Sequence, residues 1–150
     1  FERREEFAEV AQGNIETFFG GAHPAWRLSI GDLAEELGRR EEPDSVDRVV
    51  LDMVEPWHFL GTVRDLLIPG GVLMTYVTTV PQMMNTMEGI RATGSFAEPR
   101  AWETLLREWR VEGKATRPEH RMNAHTAFLV WARRLADGVT PPHPQRRARR

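Results

Sequence analysis

The sequence contains no cysteine, which removes disulfides and thiolate metal sites together. The lack of cysteine fits a reducing compartment, and a cytoplasmic location is the expectation. No apolar run approaches the length that spans a bilayer, so no membrane partner is expected. The first residues do not read as a secretory leader. Internal repeats are also missing. His120 and His125 have no matched second pair, so no metal site is expected.

What is present is a chain of 150 residues, long enough for one domain with a real core. Its net charge of −2 conceals two unlike halves. Residues 1–95 carry 8 Arg against 16 acids, whereas residues 96–150 carry 11 Arg and one Lys against 6 acids. A basic half suits a polyanionic partner, and it equally suits a solvated surface with a basic tail.

The chain is organised around Val46–Trp57. Val49, Val50 and Leu51 form a short aliphatic run after the turn cluster Pro43-Asp44-Ser45. Such a run reads as a buried strand of a parallel sheet. Asp52 stands at its carboxyl end, where open α/β sheets place their ligands. Pro56-Trp57 shapes the loop beside it.

Around this strand the spacing predicts alternating elements. Residues 2–19 read as a helix with Phe7, Val10, Ala11, Ile15 and Phe18 on one face, ended by Gly20-Gly21. Trp26–Ile30 alternates like a strand, and Leu33–Arg40 gives one or two helical turns. Trp57–Leu67 reads as a helix, and Pro69-Gly70-Gly71 turns into a buried strand over Val72–Val77. Pro81 fits the first turn of a helix running to about Ala92. This alternation predicts an α/β fold with a parallel sheet. Ala101–Ala115 and Thr126–Ala132 have strand character, and the short connection between them predicts an antiparallel pair. The organisation expected is one domain over 1–135 and a disordered Pro/Arg-rich tail over 136–150.

Several motifs carry a resemblance to a known family. They are Phe1-Glu2-Arg3-Arg4-Glu5-Glu6-Phe7-Ala8-Glu9, Asp52-Met53-Val54-Glu55-Pro56-Trp57, Leu67-Ile68-Pro69-Gly70-Gly71-Val72-Leu73 and Glu98-Pro99-Arg100-Ala101-Trp102-Glu103. Arg117-Pro118 with His120 and His125-Thr126-Ala127-Phe128-Leu129 complete the set. In order and spacing they resemble the tRNA (adenine-58-N1)-methyltransferases, closest to their actinobacterial branch, over residues 1 to about 135. The resemblance implies a class I S-adenosylmethionine-dependent methyltransferase fold, here partial and ending in the antiparallel pair. It also implies tRNA as partner and a homotetramer. The family's glycine-rich loop would lie upstream of Phe1. That, with the missing initiator methionine, leads us to expect that an upstream portion is absent and that residues 1–150 alone bind the cofactor weakly. The first and second strands of that fold would be absent as well, leaving Val49–Leu51 at an open edge.

Site roles follow from the same resemblance. It implies cofactor contacts from Glu2 (ribose hydroxyls), Phe7, Asp32 with Leu33 (the adenine amine) and Asp52. Read alone, Glu2 is a helix-start acid favoured by the macrodipole, Phe7 is a core residue and Asp32 is a helix cap. Asp52 is the catalytic candidate: a carboxylate at the exocyclic N6 of adenine holds the base and stabilises the cation formed when N1 is methylated. The alternative is a strand-end Asp closing a turn. Pro56 and Trp57 could form a wall for an extruded base, or simply pack a helix start. Gln82 could donate near the substrate or be solvated. Arg100, Arg117 and His125 are candidates for RNA phosphates or intersubunit acids, and the Arg tail for nonspecific RNA affinity. Two rival readings are a class I methyltransferase with another substrate and a non-catalytic RNA-binding or assembly module.

Overall fold

The computed structural model describes residues 1–40 and 43–141, with the side chains of 38–40 excepted. Most of the expected Pro/Arg-rich tail, residues 142–150, lies outside the described residues. The chain divides into two compact units, Phe1–Glu42 and Pro43–Arg150.

In the first unit, α1 spans Glu5–Phe19 and α2 spans Leu33–Arg40. Gly20 ends α1 at φ 73°, a left-handed conformation that a side chain disfavours, and Gly21 N–H closes the cap on the Glu16 carbonyl at 2.8 Å. The helix starts three residues later than its pattern predicts. Glu2 instead joins Ile30 in an isolated parallel bridge, with Glu2 N–H donating to Ser29 O and Gly31 N–H to Glu2 O, both at 3.0 Å. That bridge is all that forms of the strand expected at Trp26–Ile30. A ladder needs a partner of matching length, and Glu2 is the one residue paired with it. Trp26 is instead held by its indole N–H, which donates to Gln12 Oε1 at 2.7 Å. The apolar stripe of α1 is also not a core stripe, since Val10 is 58% and Phe18 81% exposed.

The second unit is built on a four-stranded mixed sheet of order β1-β2-β6-β3. Strand β1 is Val46–Asp52, β2 is Leu67–Val77, β3 is Arg100–Trp102 and β6 is Phe128–Arg133. β1 and β2 are parallel, joined by a 3-10 turn at Pro56–Phe59 and α3 at Leu60–Leu66. The helix predicted over Trp57–Leu67 is thus split into a 3-10 turn, with Pro56 at its first position, and α3. β2 begins five residues before Val72, because Leu67 pairs with Val46 ahead of a register shift at Val46/Arg48. Gly70, at φ 85°, carries that shift, and a Cβ on Gly71 would meet the Ile68 carbonyl at 2.9 Å. Among the described residues β1 is an edge strand, as the expected lack of neighbours implies.

β6 runs antiparallel to both β2 and β3, so the predicted antiparallel pair is formed by Arg100–Trp102 with Phe128–Arg133. The rest of the segment expected to continue from Ala101 leaves the sheet. It makes a separate hairpin of β4, Trp109–Glu112, and β5, Ala115–Pro118, turning at Gly113 with φ 53°. Two consecutive short strands around a glycine pair locally before any distant partner is reached.

One sheet face is covered by α3 and by α4, which spans Val80–Ala92. Leu73, Val77, Val130 and Ala132 from the strands meet Leu60, Val63, Leu66 and Ile90 from the helices, each at most 5% exposed. Full burial of each larger aliphatic contributes about 1.5–3 kcal/mol. Arg134, 6% exposed, anchors the opposite end of the strands: it pairs with Asp44 and donates to the Leu67 carbonyl at 2.6 Å. Thr75 sits among the apolar side chains, and its hydroxyl has no hydrogen-bond partner among the described residues. Thr75→Val keeps the shape and removes that orphan, so it should raise unfolding free energy by about 1 kcal/mol. Urea denaturation of the two proteins measures it, and a less stable valine variant would contradict the assignment.

Candidate functional site

Parallel pairing puts the carboxyl ends of β1 and β2 side by side. Asp52, the last residue of β1, is in register with Tyr76, and register partners in a parallel pair point to the same face. That is the face opposite α3 and α4, because the alternate residues Leu51, Thr75 and Val77 are the buried ones. Asp52 is exposed, and its carboxylate has no hydrogen-bond or ion-pair partner among the described residues. It does not close a turn through its side chain, so the structural alternative for this residue has no bond to support it.

The loop after Asp52 is anchored on both sides. Pro56 is fully buried at the first position of the 3-10 turn. Trp57 is half-buried and lies over Gly89 of α4, where an added Cβ would stand 3.1 Å from the Trp57 Cβ. Its ring is tilted against His58 at 5.7 Å between centroids. Trp57 therefore packs through its stem while part of its indole stays accessible.

Gln82 proves to be a structural hub. Thr79 caps α4, and Thr79 with Gln82 forms a reciprocal capping box. Gln82 Oε1 accepts from Thr79 N–H at 3.0 Å and from its hydroxyl at 2.9 Å. Gln82 Nε2 donates to the Val54 carbonyl at 2.9 Å, two residues beyond Asp52. Thr79 with Gln82 three residues on is a local signal that could have found the capping box, whereas the donation to Val54 has no such signal.

His125 is similarly engaged. Its Nδ1 lies 2.9 Å from Glu103 Oε2 and its Nε2 2.9 Å from the Thr78 carbonyl. Its ring packs on Phe128 at 4.6 Å between centroids. The Thr78 carbonyl, then Glu103, hold its pKa above the ordinary imidazole value of 6.5. Arg100 and Arg117 carry no acidic partner among the described residues, and Arg117 faces Arg110 across the hairpin. Beside the hairpin base, a cleft of about 480 Å³ is lined by Leu105, Leu106, Arg121 and Met122, away from the Asp52 loop.

In the first unit the bridge brings two predicted residues, far apart in sequence, near one another. Glu2 pairs with Ile30, and Asp32 follows two residues later. Glu2 Oε1 accepts from Arg4 N–H at 2.9 Å, and Asp32 Oδ1 accepts from Ala34 N–H at 2.9 Å. The capping role read for Asp32 is therefore real, and each carboxylate still has an oxygen outside these bonds. Leu33 is half-buried at the start of α2. Phe7 is not the core residue its type suggested: it is 43% exposed, with the Arg4 guanidinium 3.7 Å above its ring. Tyr76, Thr78 and Glu103 were not singled out in the sequence, because their placement follows from strand register and tertiary contact.

No family model matches the chain. It is 30% identical over 116 residues to the tRNA (adenine(57)-N(1)/adenine(58)-N(1))-methyltransferase TrmI of Methanocaldococcus jannaschii, covering 77% of this chain and 37% of that protein. The crystal structure of the tRNA (m1A58) methyltransferase TrmI from Aquifex aeolicus superposes with a TM-score of 0.74 at 29% identity, over 89% of this chain and 51% of the other. A SAM-dependent O-methyltransferase from Thermotoga maritima superposes with a TM-score of 0.73, also at 29% identity, over 89% and 48%. The chain spans about half the length, or less, of these relatives. Its α/β architecture is that of the class I methyltransferases, and the resemblance read from the motifs stands.

The sign of the His125 shift gives a prediction. The ring is favoured as a cation in the folded protein, so its stabilising bonds are fully present below about pH 6.5 and are lost as pH rises through the raised folded value. The stability gap between the parent and His125→Asn should therefore shrink on going from pH 6 to alkaline pH. Thermal melts across that range check it, and a gap that grows with pH would contradict the bonding described.

Proposed function

We propose that the chain is part of the catalytic domain of an S-adenosylmethionine-dependent tRNA methyltransferase acting on adenine N1 at position 58 of the T loop. The observation that carries this reading is the exposed, unpartnered Asp52 carboxylate at the carboxyl end of a parallel strand, beside a proline-anchored tryptophan. The named relatives support the substrate. Glu2 and Asp32 suit the polar groups of the cofactor's nucleoside, because each is an acid at the end of the parallel bridge with an oxygen to spare. Leu33 and Phe7 offer apolar contact nearby in the chain. When bound, the cofactor supplies an electrophilic methyl group on a sulfonium.

The chain's own residues then orient and stabilise. Asp52 accepts from the exocyclic N6 amine of adenine, which aims N1 and leaves its lone pair free. As N1 becomes bonded to carbon the ring gains positive charge, and the carboxylate stabilises it. No base is needed to deprotonate N1. The exposed part of Trp57, with Pro56 behind it, offers a stacking surface for the extruded base. Arg100 and Arg117 supply cationic contacts to phosphates.

The assembly belongs to the same proposal. The hairpin and its base expose Leu105, Leu106, Trp109 and Val111, each more than half accessible, and a homotetramer would cover such a surface. A cytoplasmic setting is consistent with tRNA as substrate. No helix among the described residues is long and apolar enough to cross a membrane. The Thermotoga neighbour favours O-methylation of another substrate as the second reading.

The full-length protein decides between them when assayed on tRNA with labelled methyl donor. The tRNA reading expects N1-methyladenosine at a single T-loop position. Asp52→Ala should then lower kcat by roughly 10²–10³-fold with little change in tRNA affinity, and Asp52→Asn should also be impaired. Near-parental turnover of the alanine variant removes Asp52 from the mechanism. tRNA affinity should also fall with added salt, and Arg100→Ala and Arg117→Ala should each reduce the log–log slope by about 1. An unchanged slope in both places the phosphate contacts elsewhere.

A further inference from the structure

The segment between Asp52 and Trp57 is tied to the hairpin base by an unbroken run of hydrogen bonds. At its inner end Gln82 Nε2 donates to the Val54 carbonyl. Gln82 Oε1 accepts from Thr78 as well as Thr79, at 3.2 Å from the Thr78 N–H. The Thr78 carbonyl then meets His125 Nε2, and His125 Nδ1 meets Glu103 at the outer end. Glu103 lies one residue past β3 and His125 three residues before β6. These are the points where the chain leaves the sheet for the hairpin and returns from it.

The chemistry of the acceptors fixes the state of the ring. A carbonyl can only accept, and so can a carboxylate, so both contacts are hydrogen bonds together when the ring is protonated. A ring used in this way has no nitrogen left for a phosphate. Gln82 likewise has its carbonyl oxygen within 3.3 Å of donors on Thr78 and Thr79 that together exceed its two lone pairs. Freeing either side chain for a substrate would break bonds that define the loop.

We propose that Gln82 and His125 are positioning residues: they hold the Val54 segment, and through it the Asp52 carboxylate, in place by linking the catalytic loop to the base of the β4–β5 hairpin. The proposal rests on the reading of Asp52 as the group that holds the target base. It deepens that reading by making the geometry of Asp52 depend on the hairpin, where the exposed apolar side chains stand. Among the described residues, the charged group facing the His125 ring is Glu103. Thr78 and Phe128, from the other elements packed against the ring, bring no titratable group.

The test uses the full-length protein with Gln82→Met, Gln82→Glu, His125→Phe and Glu103→Gln. Gln82→Glu keeps the acceptor for the capping box but loses the donor to Val54, which separates loop release from fraying of α4. His125→Phe keeps the aromatic packing and loses both donors. Amide hydrogen exchange at residues 52–55 should rise by about tenfold in both Gln82 variants and in His125→Phe, the change expected for loss of one net hydrogen bond. With tRNA, kcat should fall by about tenfold while KM stays within about twofold, because the lost interaction acts on turnover rather than on ground-state binding. In Glu103→Gln the pH at which loop protection declines should move downward, since the ring loses its anionic partner. Unchanged exchange at 52–55 in Gln82→Glu and His125→Phe overturns the proposal. So does a raised KM with unchanged kcat, which would make the two residues direct contacts. If the parent transfers no methyl group to tRNA, the tRNA reading fails. The exchange comparison still decides whether these residues hold the loop.

Discussion

The register of β1 on β2 is the constraint on which the rest depends. Successive side chains of a strand point to opposite faces, so a slip of one residue would exchange the two faces of β1. Leu51 would turn outward, and the Asp52 carboxylate would turn toward the layer filled by α3 and α4. Burying an unpaired carboxylate there costs several kcal/mol. At the far end of the strands the start of β1 is tied down by Ser45 N–H, which donates to the Leu66 carbonyl at 3.0 Å, and by Asp44, which pairs with Arg134. Gly70 N–H donates to the Arg134 carbonyl, and Arg134 N–H to the Gly71 carbonyl, both at 2.9 Å. The Arg134 side chain adds its bond to Leu67. The site is thus held at one end of the ladder by packing and backbone bonds at the other.

The two ends of the sheet differ in what they tolerate. At the Arg134 end a buried cation is paired with Asp44 and Asp137, and removing a partner would leave charge without compensation. At the Asp52 end the polar groups are exposed and organised by neutral amides and hydroxyls of Thr78, Thr79 and Gln82. A carboxylate kept free of internal partners is unused for stability and remains available to a ligand. Arg91, bound to Glu98 by two nitrogens at 3.1 and 2.5 Å, closes the remaining gap between α4 and β3.

Much of this was legible in the sequence because it is local. The aliphatic run at Val49–Leu51, the proline at Pro56 and the helix start at Pro81 each announce themselves within a few residues. The antiparallel pairing was expected from a short link after Ala115, but the paired strands, Arg100–Trp102 and Phe128–Arg133, are joined through residues 103–127, which contain the β4–β5 hairpin. What escaped depends on partners far along the chain. Trp26–Ile30 has the composition of a strand, but composition does not supply a neighbour to pair with. Ala101–Ala115 has strand character throughout, yet Gly113 lets its later part fold back on Ala115–Pro118 instead of extending the sheet. Gln82 and His125 were noticed as polar residues near a site. That their hydrogen bonds are spent on Val54, Thr78 and Glu103 required separations of 28, 47 and 22 residues to be closed.

The free side of β1 has a further consequence. Every second residue along it directs its N–H and C=O outward with no strand among the described residues to receive them, and the Val50 side chain beside that edge is 69% exposed. An unpaired strand edge is a template for any extended segment, whether from the same polypeptide or from another. Such a segment would add backbone bonds without disturbing β2, α3 or the Arg134 anchor. The open edge of β1 thus has the geometry that strand addition needs, beside the carboxylate at its tip.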